Sequence, residues 1–181
     1  MWKMVKKLVR VCTAVTIVLF LLYAWFGGVF WFTLAVACAT GTYHIVMRRW
    51  VGNFWNAMLH NHADYRRRWF RVSQREERLY QTLNVRRWKN KMPTNDPDSF
   101  NPKTHSWEEV AQTMCQSELV HETSVILSFL PLLAAHWIGG FPAFFITSTM
   151  AAAIDTLFVM MQRYNRSRII HLLDHQRARK H

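Results

Sequence analysis

Acidic residues are scarce in this chain. Its 11 Asp and Glu stand against 23 Lys and Arg, a formal charge of +12 over 181 residues. Cysteine is scarcer still. Cys12, Cys38 and Cys115 form no CxxC pair, and an odd number excludes a closed disulfide framework, so all three read as small buried hydrophobes. No Gly-rich phosphate loop, GxSxG elbow or HExxH helix occurs, which removes the common nucleotide-binding, serine-hydrolase and zinc-protease signatures. Only six glycines are present, and four of them sit in two pairs, Gly27-Gly28 and Gly139-Gly140. What the chain does have is apolar surface: 51% hydrophobic residues, with nine Trp and twelve Phe. A mean hydropathy of -0.06 hides this, because it averages long greasy runs with a strongly basic middle and tail. The basic residues flank the apolar runs, so the expected partners are anionic phospholipids and not nucleic acid.

Four apolar runs can be read, at 8–26, 29–47, 119–138 and 141–161. Each holds about 20 residues, the length that crosses a hydrocarbon core of roughly 30 Å. The basic start resembles a signal peptide, but no small-residue cleavage site follows and a second run begins at once. The expected fold is therefore all-α: a single integral membrane domain over 1–181, built as two transmembrane hairpins that each turn at a Gly-Gly pair. Lys3, Lys6, Lys7 and Arg10 precede the first run, and Arg48, Arg49, Arg66, Arg67 and Arg68 follow the second. Arg163, Arg166, Arg168, Arg177, Arg179 and Lys180 fill the tail at 162–181, while neither Gly-Gly turn has a charge nearby. The positive-inside rule then places both termini and the segment 48–118 in the cytosol, with the protein in the cell membrane.

The middle segment is too basic and too rich in tryptophan for a flexible linker. Trp50, Phe54, Trp55 and Met58 share one helical stripe, as in a helix lying in the membrane interface. Residues 66–88 read as a second helical stretch, with Leu79 and Leu83 on its apolar side. Pro93, Pro97 and Pro102 mark a loop, and Ser106-Trp107-Glu108-Glu109 is a capping box that starts a helix expected to run unbroken into the third span, with a kink at Pro131.

Three patterns can carry chemistry. In MCQSELVHETS (114–124), Glu118, His121 and Glu122 share one helical face where the helix enters the bilayer, a costly place for ionisable groups without a function or an ionic partner. In QRYNRSR (162–168), Arg163, Asn165 and Arg166 can hold a phosphate or carboxylate, or simply anchor the span. In LYQTLNVRRWKNKMP (79–93), Arg86, Arg87, Lys89 and Lys91 surround Trp88 and suit an anionic donor or lipid. Asp155 lies inside the fourth run and needs a partner; His44 is at similar depth. The pairs His60/His62 and His171/His175 suggest the histidine clusters of membrane di-iron enzymes but fall short of a full ligand set, so no metal site is assigned.

RLYQTLNVRRWKNKMP, then CQSELVHE, then MQRYNRSR, in this order within a small four-span chain, resemble the glycosyl-4,4'-diaponeurosporenoate acyltransferase family over roughly residues 75–170. The resemblance implies transfer of a fatty acyl group to a sugar hydroxyl of a membrane lipid acceptor. No bound cofactor is expected, and the expected donor is an acyl thioester such as acyl-CoA or acyl carrier protein. Acyl transfer to an alcohol needs a base and an oxyanion stabiliser. On chemical grounds His121 is the expected base, with Glu118 or Glu122 orienting it. Gln162, Arg163, Asn165 and Arg166 would hold the oxyanion or donor phosphates. Arg86, Arg87 and Lys89 would guide the donor, and Tyr80, Trp88 and Tyr164 would line the entrance. Two alternatives stay open: a non-enzymatic membrane adaptor with a basic face, and a metal-dependent lipid oxidoreductase whose histidines converge.

Overall fold

A computed structural model describes residues 2–94 and 96–179, with side chains from residue 5 onward. Lys180 and the side chain of Lys3, both counted among the topology-setting cations, lie outside it. Among the described residues the elements are all helical. The helices are α1 (Trp2–Phe26), α2 (Val29–Leu59), α3 (Gln74–Thr82), α4 (Val85–Trp88), α5 (Trp107–Leu127), α6 (Pro131–Ile138) and α7 (Phe141–Ala178), with short 3-10 turns between. Four helical stretches are long and apolar enough to cross a membrane: Val5–Phe26, Val29–Leu59, Trp107–Ile138 and Phe141–Ala178.

Both Gly-Gly pairs turn the chain through the left-handed region, at φ 66° and 87° for Gly27 and Gly28 and 80° and 72° for Gly139 and Gly140. Side chains would be strained there. Gly140 is doubly required, because a Cβ on it would stand 2.7 Å from Phe32 Cε1.

The chain forms two compact units, one from residues up to Val51 with Thr123–Asp155, the other from Gly52–Glu122 with Thr156 onward. In the first, Val36, Ala135, Ala143 and Phe144 make a small core. Arg48 and Asp155 answer the need for a buried partner: Arg48 Nη2 lies 2.7 Å from Asp155 Oδ2, and Asp155 is fully buried. The same Nη2 also donates to the Ala151 carbonyl. His44 is buried as well, beside this pair. The third span is interrupted between α5 and α6. Pro131 has no N–H to give the Leu127 carbonyl four residues back. That carbonyl instead accepts from Leu130 N at 3.1 Å and from the Tyr43 hydroxyl at 2.9 Å. The helix from Ser106 thus runs unbroken into the third span, as expected, and at the expected Pro131 kink the chain makes a turn at 128–130 before a second helix.

The second unit has its own core, centred on Ala63, Phe70, Val110, Met114, Cys115, Ile169 and Leu173. The interfacial stripe Trp50–Met58 continues α2 without a break. α2 then ends where His60 and Asn61 take positive φ, and Asn61 is tied to α5 through Gln116 (2.9 Å) and Thr113 (2.8 Å). The helical stretch expected over 66–88 is in fact three pieces. Ser73 caps α3 in a reciprocal box with Glu76, and Asn84 at φ 51° separates α3 from α4. The box before α5 forms as its residues dictate: Glu109 N donates to Ser106 Oγ at 3.2 Å, and Ser106 N to Glu109 Oε2 at 2.8 Å.

Candidate functional site

α7 carries two basic faces in the second unit. At about 100° per residue, positions two apart lie some 200° around a helix, so Arg163 and Arg166 point away from Asn165 and Arg168. The first pair faces α5. Glu118 is fully buried and its carboxylate is bound on both oxygens: Oε1 accepts from Arg163 Nη1 at 2.9 Å, and Oε2 from Arg166 Nη1. Arg166 is also fully buried, donates to the Phe70 carbonyl at 2.6 Å and lies over the Phe70 ring at 4.9 Å. Arg163 Nη2 lies 3.1 Å from Glu76 Oε1, and Nη1 lies 3.4 Å from Glu122 Oε1. Glu122 also accepts from Trp69 Nε1 at 2.9 Å, and the Trp69 and Arg71 carbonyls accept from Arg163. Three carboxylates from α3 and α5 therefore neutralise two arginines of α7, while the arginines hold the 69–71 backbone in place. Burial in this setting is tolerable because each charge is paired and hydrogen-bonded.

Glu118 and Glu122 thus both meet Arg163. The carboxylates are engaged with arginines and Trp69, and the His121 ring stacks on Phe158 of α7 (centroids 4.6 Å apart, planes at 7°). Tyr80 is buried beside Arg163 and meets Tyr164 edge-on, with centroids 6.5 Å apart. Burial is the main cause that pushes its phenol up to about 12, the neighbouring Glu76 adding to it. This keeps Tyr80 neutral at every physiological pH.

The other face of α7 lines a cavity of about 690 Å³. Its polar wall is Lys89, Gln162, Asn165, Arg168, His171 and His175; Met92, Pro97, Phe100, Trp107, Met114 and Met161 supply apolar and thioether surface. Lys89 comes from the turn after α4 and donates to Asn165 Oδ1. Gln162 is held by Ser117 at 3.1 Å. Of the basic residues expected to guide a donor, only Lys89 lines this cavity. Arg86 and Arg87 are exposed on α4, and Trp88 is held by its indole N–H on the Leu83 carbonyl at 3.1 Å.

Arg168, His171 and His175 are cavity residues that the pattern QRYNRSR and the tail did not single out for binding. Their signal is a stripe: 161, 165, 168, 171 and 175 recur at spacings of three and four, one face of a helix. Among the described residues no group of three or more His, Cys, Asp or Glu is placed to hold a metal ion.

Residues 66–175 match the family model for glycosyl-4,4'-diaponeurosporenoate acyltransferase. No curated protein and no solved structure matches the chain. The match covers more than half of the chain, which therefore belongs to this family.

Proposed function

We propose that this member of the glycosyl-4,4'-diaponeurosporenoate acyltransferase family moves a fatty acyl group from a thioester donor to a hydroxyl of a glycosylated membrane lipid, at the cytosolic face of the cell membrane. One observation carries the reading. Every residue lining the 690 Å³ cavity, from Lys89 to His175, lies inside the stretch 66–175 that matches the family. The part of the chain that defines the family is the part that builds the cavity. Its volume falls in the range of small-molecule sites, roughly 300–1,000 Å³, and its mixed lining suits a substrate with a polar head and an alkyl chain.

The chemistry follows from the wall. The lipid hydroxyl adds to the thioester carbonyl, a base takes its proton, the new C–O bond forms, the C–S bond breaks, and the departing thiolate recovers the proton. Asn165 turns its oxygen to Lys89, which leaves its amide N–H groups to stabilise the oxyanion. A base has to come within hydrogen-bond reach of the hydroxyl, and His171 stands on the cavity wall. His171 is assigned this role; His121, on the Phe158 side of α5, is the competing assignment. The Glu118 network then acts as the brace that holds α5, α7 and the 69–71 backbone around the cavity.

The test compares acylated glycolipids by mass spectrometry in cells with and without the gene, then in cells carrying His171→Ala or His121→Ala at matched protein levels. Loss of the base lowers product about 10²–10⁴-fold. No acylated lipid dependent on the gene would refute the enzyme in favour of a membrane adaptor. A normal product level in the His171 variant with loss in the His121 variant would move the base back to α5.

A further inference from the structure

The two basic faces of α7 differ in one respect: one is neutralised and the other is not. Arg163 and Arg166 meet Glu76, Glu118 and Glu122. The cavity wall carries Lys89 and Arg168, with His171 and His175 beside them, and among the described residues no Asp or Glu lines it. Lys89 is half-buried, and its ammonium is satisfied by a neutral amide oxygen and an aromatic face: Asn165 Oδ1, and the Tyr164 ring at 5.3 Å. The Arg168 guanidinium lies over the same ring at 5.9 Å. Two cations of the cavity wall therefore approach one tyrosine ring. Burial, and then the charges of Arg168 and Arg86, push the Lys89 ammonium below its usual range, so the arrangement works against its own protonation. A chain that supplies three carboxylates to the opposite face of the same helix leaves these cations to a ligand.

We propose that Lys89 and Arg168, flanking Tyr164 on the cavity wall, form a binding site for a phosphate group, with Asn165 and His171 as neighbouring hydrogen-bonding groups. A phosphate ester presents several acceptor oxygens to donors spread over a concave wall, and a guanidinium with an ammonium is the pairing that phosphate recognition favours. The proposal deepens the acyl-transfer reading by giving the donor or acceptor a phosphate. Its test requires no turnover, so failure of binding and failure of the lipid analysis are separate results.

The full chain, purified in nanodiscs of phosphatidylcholine, is titrated by calorimetry with coenzyme A and with inorganic phosphate. A third arm measures its melting temperature in nanodiscs with and without phosphatidic acid. Saturable binding of coenzyme A supports the site with a nucleotide-bearing thioester as its source. Stabilisation by phosphatidic acid alone supports it with a lipid headgroup as its source. Binding of inorganic phosphate alone supports the anion subsite in its minimal form. In each case Lys89→Gln/Arg168→Gln weakens the response about tenfold or more, as expected for lost charge-assisted hydrogen bonds. Arg75→Gln/Arg78→Gln removes the same charge from exposed α3 positions and leaves it within about twofold, the small effect expected of exposed charges outside the site. Lys89→Arg/Arg168→Lys keeps both charges and guards against a folding defect by retaining most of the affinity. No saturable response to any of the three probes, or equal responses in the Gln/Gln variant and its control, overturns the proposal.

Discussion

Glu118→Ala is the sharpest test of the brace between α5 and α7. The substitution strips Arg166, which is fully buried, of its carboxylate and leaves it the neutral Phe70 carbonyl as an acceptor. It also takes from Arg163 one of its three carboxylates. Removing one member of a buried, hydrogen-bonded ion pair costs about 3–5 kcal/mol, because the remaining charge stays desolvated. For a chain of this size that is a drop in melting temperature of about 6–20 °C. The measurement is the fraction of detergent-solubilised protein that stays monodisperse after stepwise heating. Glu118→Gln keeps the shape but loses the charge, and falls on the same side. Glu118→Leu/Arg166→Leu removes both buried charges and recovers part of the loss, since Arg163 keeps Glu76 and Glu122. A Glu118→Ala protein melting within about 2 °C of the parent would refute this reasoning, being far below the cost of an orphaned buried charge. Turnover per folded molecule separates brace from catalyst: Glu118→Gln retains it if the carboxylate is structural and loses it if the carboxylate orients a base.

Two further outcomes are expected. Gly140→Ala costs about 1–3 kcal/mol through its left-handed backbone and displaces Phe32 as well. Gly27→Ala meets open space and shows the backbone strain alone, so its thermal shift is the smaller; equal shifts would refute the role of the Phe32 contact. In a chain without native cysteines, single cysteines at Asn90 and Trp137 label from opposite sides of the membrane with an impermeant maleimide. Labelling from one side would refute cytosolic placement of the cavity loop relative to the second hairpin turn.

The parts of this fold set by local rules were legible in the sequence. Gly-Gly pairs end apolar runs because the chain must pass through positive φ, and Ser106 with Glu109 starts a helix because each satisfies the other's backbone. Length and hydropathy were enough for the four spans. Distance in sequence hid the rest. Glu118 and Arg163 are legible separately as charges near a span, but their pairing is settled by how α5 lies against α7. Pro131 was legible as a kink; the full break at 128–130 was not, since it depends on the Tyr43 hydroxyl capturing the Leu127 carbonyl. The segment 162–181 was read as a basic cytosolic tail, with a binding role expected only for its first residues, Gln162 to Arg166. The helix does not change there, and α7 continues to Ala178, so His171 and His175 belong to the same ordered wall as Gln162.

This continuity also explains how so few acidic residues can organise so basic a chain. Eleven carboxylates cannot neutralise 23 cations, so their placement carries information. Three of them, Glu76, Glu118 and Glu122, converge on Arg163 and Arg166, the two arginines that face protein. A fourth, Asp155, is paired with Arg48 in the other unit. A buried cation without a carboxylate would destabilise either unit, whereas a cation on a concave, wetted wall costs little until an anion arrives. Four of the acids therefore sit where arginines are held against protein, while Lys89 and Arg168 face the cavity. In a chain this poor in carboxylates, the unneutralised stripe is where a negatively charged substrate has least to displace.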